Sequence, residues 1–502
     1  MTDAVVESPP IAGTQSASRQ SNRWLILVIA CLAQFMVVLD ATVVNVALPS
    51  IQKGLHFSPS SLQWVVNAYT LVFGGFLLLG GRAGDLLGRK RLFVAGVALF
   101  SAASLLNGLA QTSTMLIVGR GLQGLGGALL SPAALSIITT TFTEQAERTK
   151  ALSVWSAIAA GGGAVGLIMG GALTQLASWE WIFIVNVPVG VATLLATLRF
   201  VPESRADLPH RTFDLAGAVT VTAGLVVLVY AIVKAQAFGW GSGRTIGLLA
   251  AALALLALFV VIEQRSAHPL IRLSIFRVKT LTVADIVLLL VASGLFGMFF
   301  FASLYVQEIL GYSPLRAGLA FLPVTGGIVV GAGVAQQLIR RVGVRNVAVF
   351  GIGLATVGLA ILAGIPVHGT YAADLLPGLL LMSIGMGLTF VPITLMATGG
   401  VGENDAGLAS GLFNTAQQVG GSLGLAILST LAATRTTDLL SGLHGPALLA
   451  ASTAAKVSGY RVAFVAAAIM LGAGAVLMAA TIRRRDVENL DVNDLAPSAA
   501  TA

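Results

Sequence analysis

Fourteen apolar stretches run through this sequence, near 24–48, 62–80, 92–110, 114–140, 150–175, 181–200, 213–234, 245–263, 280–306, 315–338, 344–364, 372–396, 408–432 and 459–481. A helix crosses a bilayer with about 20 apolar residues. Only 10% of the residues are charged, against roughly 25% in soluble domains. Such a chain cannot cover itself with a polar surface in water, and in lipid it has no need to. The sequence predicts an all-α polytopic membrane protein with 14 transmembrane helices. Residues 1–22 are polar and predict a disordered cytoplasmic tail. The first apolar run holds Asp40, is too long for a signal-peptide core and lacks a small-residue cleavage site, so it reads as a retained span.

The basic residues sort by side. With both termini in the cytoplasm, 21 Lys and Arg fall in cytoplasmic segments, among them Arg23, Arg82, Arg89, Lys90, Arg91, Arg148, Arg211, Arg340, Arg345 and Arg483. Seven fall outside: Lys53, Lys234, Arg244, Arg316, Arg435, Lys456 and Arg461. Basic loops resist translocation, which produces this bias. Topology therefore accounts for the net charge of +8 without a nucleic-acid partner. The expected location is the cytoplasmic membrane, multi-pass.

A turn of glycine and basic residues recurs. Gly88-Arg89-Lys90-Arg91 joins spans 2 and 3, and Arg340-Arg341-Val342-Gly343-Val344-Arg345 joins spans 10 and 11. The offset is eight spans, whereas two six-helix halves alone give six. Two additional helices between the halves restore the register, so a 6+2+6 plan follows. The expected divisions are a six-helix bundle at 23–205, two inserted helices at 206–270, a second bundle at 271–482 and a cytoplasmic tail at 483–502.

The longest local motif is Gly81-Arg82-Ala83-Gly84-Asp85-Leu86-Leu87-Gly88-Arg89-Lys90-Arg91. Gly81 and Gly84 let helices approach, and Gly88 permits a tight turn at positive φ. Asp85 can pair with a nearby Arg or cap the next helix. Such a cluster can hold one conformation and release in another. This segment resembles the signature loop of the major facilitator superfamily. Leu39-Asp40-Ala41-Thr42-Val43-Val44-Asn45-Val46-Ala47-Leu48-Pro49 resembles the first-helix motif of its fourteen-helix drug/proton antiporter branch, the multidrug efflux transporters. Arg120-Gly121-Leu122-Gln123-Gly124-Leu125-Gly126 resembles the fourth-helix motif, and Gly162-Gly163-Ala164-Val165-Gly166-Leu167-Ile168-Met169-Gly170-Gly171 the antiporter motif of helix 5. Asn414-Thr415-Ala416-Gln417-Gln418-Val419-Gly420-Gly421 resembles the pattern of the penultimate helix. The resemblance spans roughly 24–481. It implies the major facilitator fold and proton-driven export of small amphipathic drugs or antibiotics, cationic or neutral. The chain departs from the pattern at Leu167, where the family usually has proline, and in the second copy of the loop, which lacks the acid.

Three charged residues sit inside spans and clear of their ends. Asp40 is deep in span 1, where an ionised carboxylate is costly. A carboxyl group whose charge follows conformation can carry a proton, and a bare carboxylate can attract a lipophilic cation. A structural Asp hydrogen-bonded to a neighbouring helix is the other reading. Arg120 stays protonated, so it needs a partner or a wet cavity. It serves either proton coupling or a structural ion pair. Asp285, near the start of span 9, is either a second proton or cation site or an interfacial residue that snorkels. Gly162, Gly166 and Gly170, four apart, make one smooth helix face suited to sliding or to static packing. Gln34, Asn45, Asn67, Tyr69, Asn107, Gln123, Asn186, Asn414, Gln417 and Gln418 are candidates to line a cavity or to join helices. The stretch 433–458 reads as an external loop, and Glu308 as a loop or helix-end residue.

An importer, or an exporter of a specific metabolite, with the same fold is the alternative reading, since a fold does not fix direction. Function classes other than transport, a membrane-embedded enzyme among them, lack support. His56, His210, His268, His368 and His444 lie in loops or at span ends without clustering, so neither a catalytic constellation nor a metal site is expected. No phosphate-binding GxxxxGK[ST] loop occurs, which argues against ATP drive. The single Cys31 fits helix packing. No cofactor is implied. The expected partners are a small-molecule substrate, protons and the lipid bilayer, with a monomer as the expected state.

Overall fold

The computed structural model describes residues 13–58, 60–205, 214–266, 269–402, 405–488 and 490, apart from the side chains of 13–22, 85, 159 and 160. All regular elements among them are helical. In lipid, a helix satisfies its backbone polar groups internally, and the caps follow local chemistry. Thr112 caps the N-terminus of α4 (Ser113–Thr141), Asp214 that of α8 (Leu215–Phe238) and Ser242 that of α9 (Gly243–Arg265), each accepting a backbone N–H from the first turn.

The first bundle comprises α1 (Gly13–Gly54), α2 (Trp64–Leu87), α3 (Arg89–Gly108), α4, α5 (Gln145–Leu176) and the pair α6 (Trp181–Ile184) and α7 (Asn186–Phe200). The second comprises α10 (Lys279–Leu304), α11 (Pro314–Ala320), α12 (Leu322–Val342), α13 (Val344–Leu362), α14 (Leu376–Thr398), α15 (Ala406–Leu440) and α16 (Pro446–Thr481). The α8–α9 hairpin packs through α8 on α2 and on α15. Ile29, Phe93, Phe100 and Ile138 lie in one apolar core, and Met298, Leu359, Met386 and Phe464 in another.

Among the described residues, 13 helices are long and apolar enough to cross a membrane. The remaining expected stretch, 408–432, falls within α15, which is 35 residues long. Asn414, Gln417, Gln418 and several glycines make it less apolar than the others.

Two expectations need correction. α1 begins at Gly13, so the last ten residues of the segment expected to be disordered extend the first helix, while 1–12 lie outside the described residues. The stretch 433–458 is not a loop. α15 continues to Leu440 and α16 starts at Pro446, so two helices extend beyond their apolar parts and leave only a short turn.

The helices alternate between two ends. Gly54 meets Trp179, and Gly108 meets Glu180 and Ile184, at one end. Arg23 pairs with Glu147 at 3.5 Å at the other, where Gly88 packs on Glu203. In the second bundle Lys279 pairs with Asp486 at 2.6 Å, and Arg345 binds the Ile482 and Ala479 carbonyls, at the Gly88 end. The basic turns of the sequence collect there, while Lys53, Arg316, Lys456 and Arg461 lie at the Gly54 end. Arg211, His210 and His268 lie outside the described residues.

Candidate functional site: a buried charge pair beside a cavity between the bundles

Asp40 and Arg120 meet. Arg120 Nη1 donates to Asp40 Oδ2 at 2.5 Å, and the two residues are 0% and 1% exposed. Burying either charge alone is expensive, and pairing makes the burial tolerable only when the remaining polar atoms are also satisfied. Here most of them are. Gln123 Nε2 donates to Asp40 Oδ1 at 2.7 Å, and Asn186 Nδ2 approaches the same atom at 3.4 Å. Arg120 Nε donates to the Val65 carbonyl at 2.9 Å, and Nη1 also reaches Gln123 Oε1 at 2.7 Å. Asn107 Nδ2 donates to Gln123 Oε1 at 2.7 Å, and Ser104 Oγ donates to the Phe183 carbonyl at 2.9 Å. Ser104 Oγ in turn accepts from Gln123 at 3.2 Å and from Asn186 at 3.1 Å. The Tyr69 ring lies 4.4 Å from Arg120 Cζ, within cation–π range. Six helices, α1, α2, α3, α4, α6 and α7, are tied together by these contacts.

A cavity of about 330 Å³ lies next to this network, with walls from both bundles. Asn45, Tyr69 and Arg120 face it from the first bundle, and Phe299, Thr325 and Gln418 from the second. Asp40 is not on its wall. Of the expected lining residues, Asn45 and Tyr69 are on it, and Gln123 stands behind Arg120 in the network. Gln34, Asn414 and Gln417 lie elsewhere. Gln34 accepts from Ser131 Oγ at 2.9 Å, and Asn414 turns back to the Ser410 carbonyl at 2.9 Å. Gln418, one residue on from Gln417, takes the wall position.

Asp285 sits in the second bundle, away from this network. It is 8% exposed, and its Oδ1 has no hydrogen-bond partner among the described residues. The α5 glycines pack on the turns of α1 that carry Asp40. A β-carbon at Gly162 would lie 3.1 Å from Val38, one at Gly170 would lie 2.7 Å from the Val43 carbonyl, and one at Gly166 would collide with Thr42. α5 runs unbroken through Leu167, the position that departs from the proline pattern. Leu167 lines the cavity, and its carbonyl packs against Gly318 of α11 across the two bundles.

At the basic turn, Gly88 has φ 111°, and Gly343 in the second copy has φ 85°. The repeat read from a few letters is thus also a repeat of backbone conformation. Gly81 and Gly84 have ordinary contacts, with Pro132 and Leu92 respectively. The Asp85 side chain lies outside the described residues. Among the described residues an acid at this turn is Glu203, which the motif did not reveal. It accepts from the Lys90 backbone N–H at 3.2 Å and pairs with Arg91 Nε at 3.6 Å. Arg89 N donates to the Ser204 carbonyl at 3.0 Å, and Lys90 Nζ to the Leu198 carbonyl at 3.0 Å. The available signal was the charged Pro202-Glu203-Ser204-Arg205 run closing span 6. Ser104 was also missed, because a lone serine in an apolar span carries no pattern.

Two helical bundles, a cavity between them and a buried ion pair against its wall define a multi-pass membrane transporter. Residues 30–425 match the family model for the Major Facilitator Superfamily, and the chain belongs to that family. It is 40% identical over 480 residues to the puromycin resistance protein pur8 of Streptomyces alboniger, covering 95% of this chain and 94% of that protein. It is also 40% identical over 467 residues to the cephamycin export protein CmcT of Amycolatopsis lactamdurans, covering 92% and 93%. Among solved structures it is similar to a bacterial homologue of the human lysosomal transporter Spinster, at TM-score 0.63 and 17% identity, covering 96% of this chain and 99% of that one.

Proposed function

We propose that this chain is a proton-coupled antiporter exporting small amphipathic drugs or antibiotics across the cytoplasmic membrane by alternating access. The names of its relatives, a cephamycin export protein and a puromycin resistance protein, support the direction. The observation that carries coupling is the sealed Asp40–Arg120 pair, with Arg120 also on the cavity wall. A proton on Asp40 removes the carboxylate charge and weakens its hold on Arg120, which loosens α1 from α4 beside the substrate. A proton or substrate drives alternation only through unequal affinity for the two states, and this pair offers such a difference.

Contacts between the bundles at the Gly54 end give the alternation something to break. Ser303 Oγ donates to the Asn45 carbonyl at 2.7 Å, and Gln307 Nε2 to the Val46 carbonyl at 2.9 Å. We read α15 as a crossing helix, giving 14 in a 6+2+6 arrangement, with bundles at 23–205 and 271–482 and the inserted pair within 206–270. The bias of basic residues supports cytoplasmic termini. Protons are the coupling ion and the monomer is the transporting unit. In this reading the Gly88 turn and the α5 glycines act in gating, and Asp285 is a further proton site.

The test is efflux from cells lacking their own pumps. Cells carrying wild type or Asp40→Asn are loaded with an uncharged fluorescent amphiphile, or separately with a lipophilic cation. Loss is followed with and without a protonophore. Export that stops with the protonophore, and that Asp40→Asn abolishes at equal expression, is the expected result. Export insensitive to the protonophore would overturn coupling, and gradient-driven accumulation would overturn the direction.

A further inference from the structure

The electrostatics of the cavity narrow what an exporter of this design can load. Among the described residues, no Asp or Glu stands on the wall. Asp40 is fully enclosed, and both its oxygens are occupied by Arg120, Gln123 and Asn186. Among the described residues, the charged residue that does border the cavity is Arg120. Its Nε and Nη1 are engaged, but Nη2 forms no hydrogen bond among the described residues. A guanidinium has five N–H donors and no acceptor, so two donors remain for an oxygen atom brought by a ligand.

The approach along α12 has the same character. Thr325 and Val329 stand on the cavity wall, and the four-residue spacing continues through Gly333 and Gln337. Gly333 and Gln337, with Gln336, Arg340 and Arg341, border a second cleft of about 440 Å³. No acidic residue occurs between Pro314 and Val342. Amides and guanidiniums line this side, and α12 itself carries no carboxylate.

Resting on the exporter reading, we infer that the cavity selects uncharged amphiphiles carrying a carbonyl, ether or hydroxyl oxygen, which accepts from Arg120 Nη2, and that it discriminates against permanent lipophilic cations. An anion is the wrong ligand for exchange. It would compete with Asp40 for Arg120 and so favour protonation of Asp40, and by linkage substrate and proton would then bind together rather than in alternation.

Two compounds of nearly the same aryl frame separate the cases: triphenylphosphine oxide, uncharged with one acceptor oxygen, and tetraphenylphosphonium, a permanent cation. Equilibrium binding of each radiolabelled compound to the purified full chain in detergent is expected to favour the oxide at least tenfold. Asn45→Asp, nearly isosteric and on the wall, should shift the ratio at least tenfold toward the phosphonium. Thr325→Asp should do the same from the second bundle, so that a folding defect in one variant does not decide the matter. Phosphonium binding as tight as the oxide in wild type, failure of both compounds to bind, or an unchanged ratio in both acidic variants overturns the selection. Efflux in cells then separates the two readings. Export of the phosphonium by wild type sinks the selection and leaves the exporter, while oxide-selective binding without outward transport sinks the exporter and leaves the selection.

Discussion

Arg120 and Asp40, eighty residues apart in the chain, form an ion pair of 2.5 Å that solvent does not reach. The two members differ in how they respond to losing each other. A lone carboxylate can escape its charge by taking a proton, whereas a lone guanidinium cannot shed its own. Asp40→Asn should therefore destabilise the protein more than Arg120→Gln, by about 3–5 kcal/mol relative to wild type. The double variant should recover part of that loss. Thermal unfolding of the four proteins in detergent measures the cycle, and additive losses would remove the pair from the energetics of the fold.

The glycine face of α5 gives a contrast within one helix. Gly166→Ala forces a methyl into Thr42, whereas Gly161→Ala meets nothing within 4 Å. The first should cost about 1–3 kcal/mol by overpacking and reduce export. The second should leave both unchanged. Unfolding midpoints and efflux rates, measured side by side, decide whether the face is used.

Glu203 pairs with Arg91 and accepts the Lys90 backbone N–H in the basic turn at the Gly88 end. Its pairing with Arg91 is exposed, so Glu203→Gln should cost less than about 1 kcal/mol of stability. If the turn takes part in alternation, efflux should fall several-fold while the unfolding midpoint barely moves. A parallel fall in both would make Glu203 a structural residue only.

Asp486 supplies a pH dependence with a definite sign. The hydrogen bond from Lys279 Nζ holds its carboxyl below the ordinary range, helped by the Arg483 backbone N–H. A depressed acid contributes stability that is fully present above the ordinary carboxylate pKa and is lost as pH falls through the depressed value. Below that range, wild type and Asp486→Asn should converge in unfolding midpoint, whereas wild type should be the more stable near neutrality. Lys279→Gln should move the convergence to higher pH.

Gly343 tests the repeated turn. Its φ of 85° disfavours any side chain, although a β-carbon there would meet nothing. Gly343→Ala should therefore cost about 1–3 kcal/mol through backbone strain alone, read as a lowered unfolding midpoint with unchanged binding of triphenylphosphine oxide.

Much of this fold was legible because lipid imposes a simple code. Length and hydropathy mark the helices, and basic residues mark one end. Asp40 and Arg120 were legible for the same reason, since ionised groups in apolar runs stand out. Their meeting was not, because it depends on how α1 and α4 approach, and no pattern in either helix records the other. Ser104 and Glu203 illustrate the remainder. A serine is unremarkable until Gln123 and Asn186 converge on it, and an exposed acid after a span is unremarkable until the chain folds it beneath Gly88. Gln34 and Asn414 hydrogen-bond to Ser131 and to the Ser410 carbonyl, and neither they nor Gln417 border the 330 Å³ cavity, a placement that polarity alone does not reveal. The 433–458 stretch misled because its Gly, Ser and Pro residues suggest a loop, whereas α15 and α16 run on through most of it.

The α8–α9 hairpin enters and leaves at one end of the molecule. A β-carbon at Gly217 would lie within 3.1 Å of both Asp214, at its start, and Glu263, near its close. An out-and-back excursion returns the chain to the face it left, so the parity of crossings is unchanged and the second bundle keeps the sidedness it would have without the pair. One extra helix would have inverted everything after it. An even number is the kind of addition that a two-bundle machine can acquire, or lose, without turning half of itself upside down.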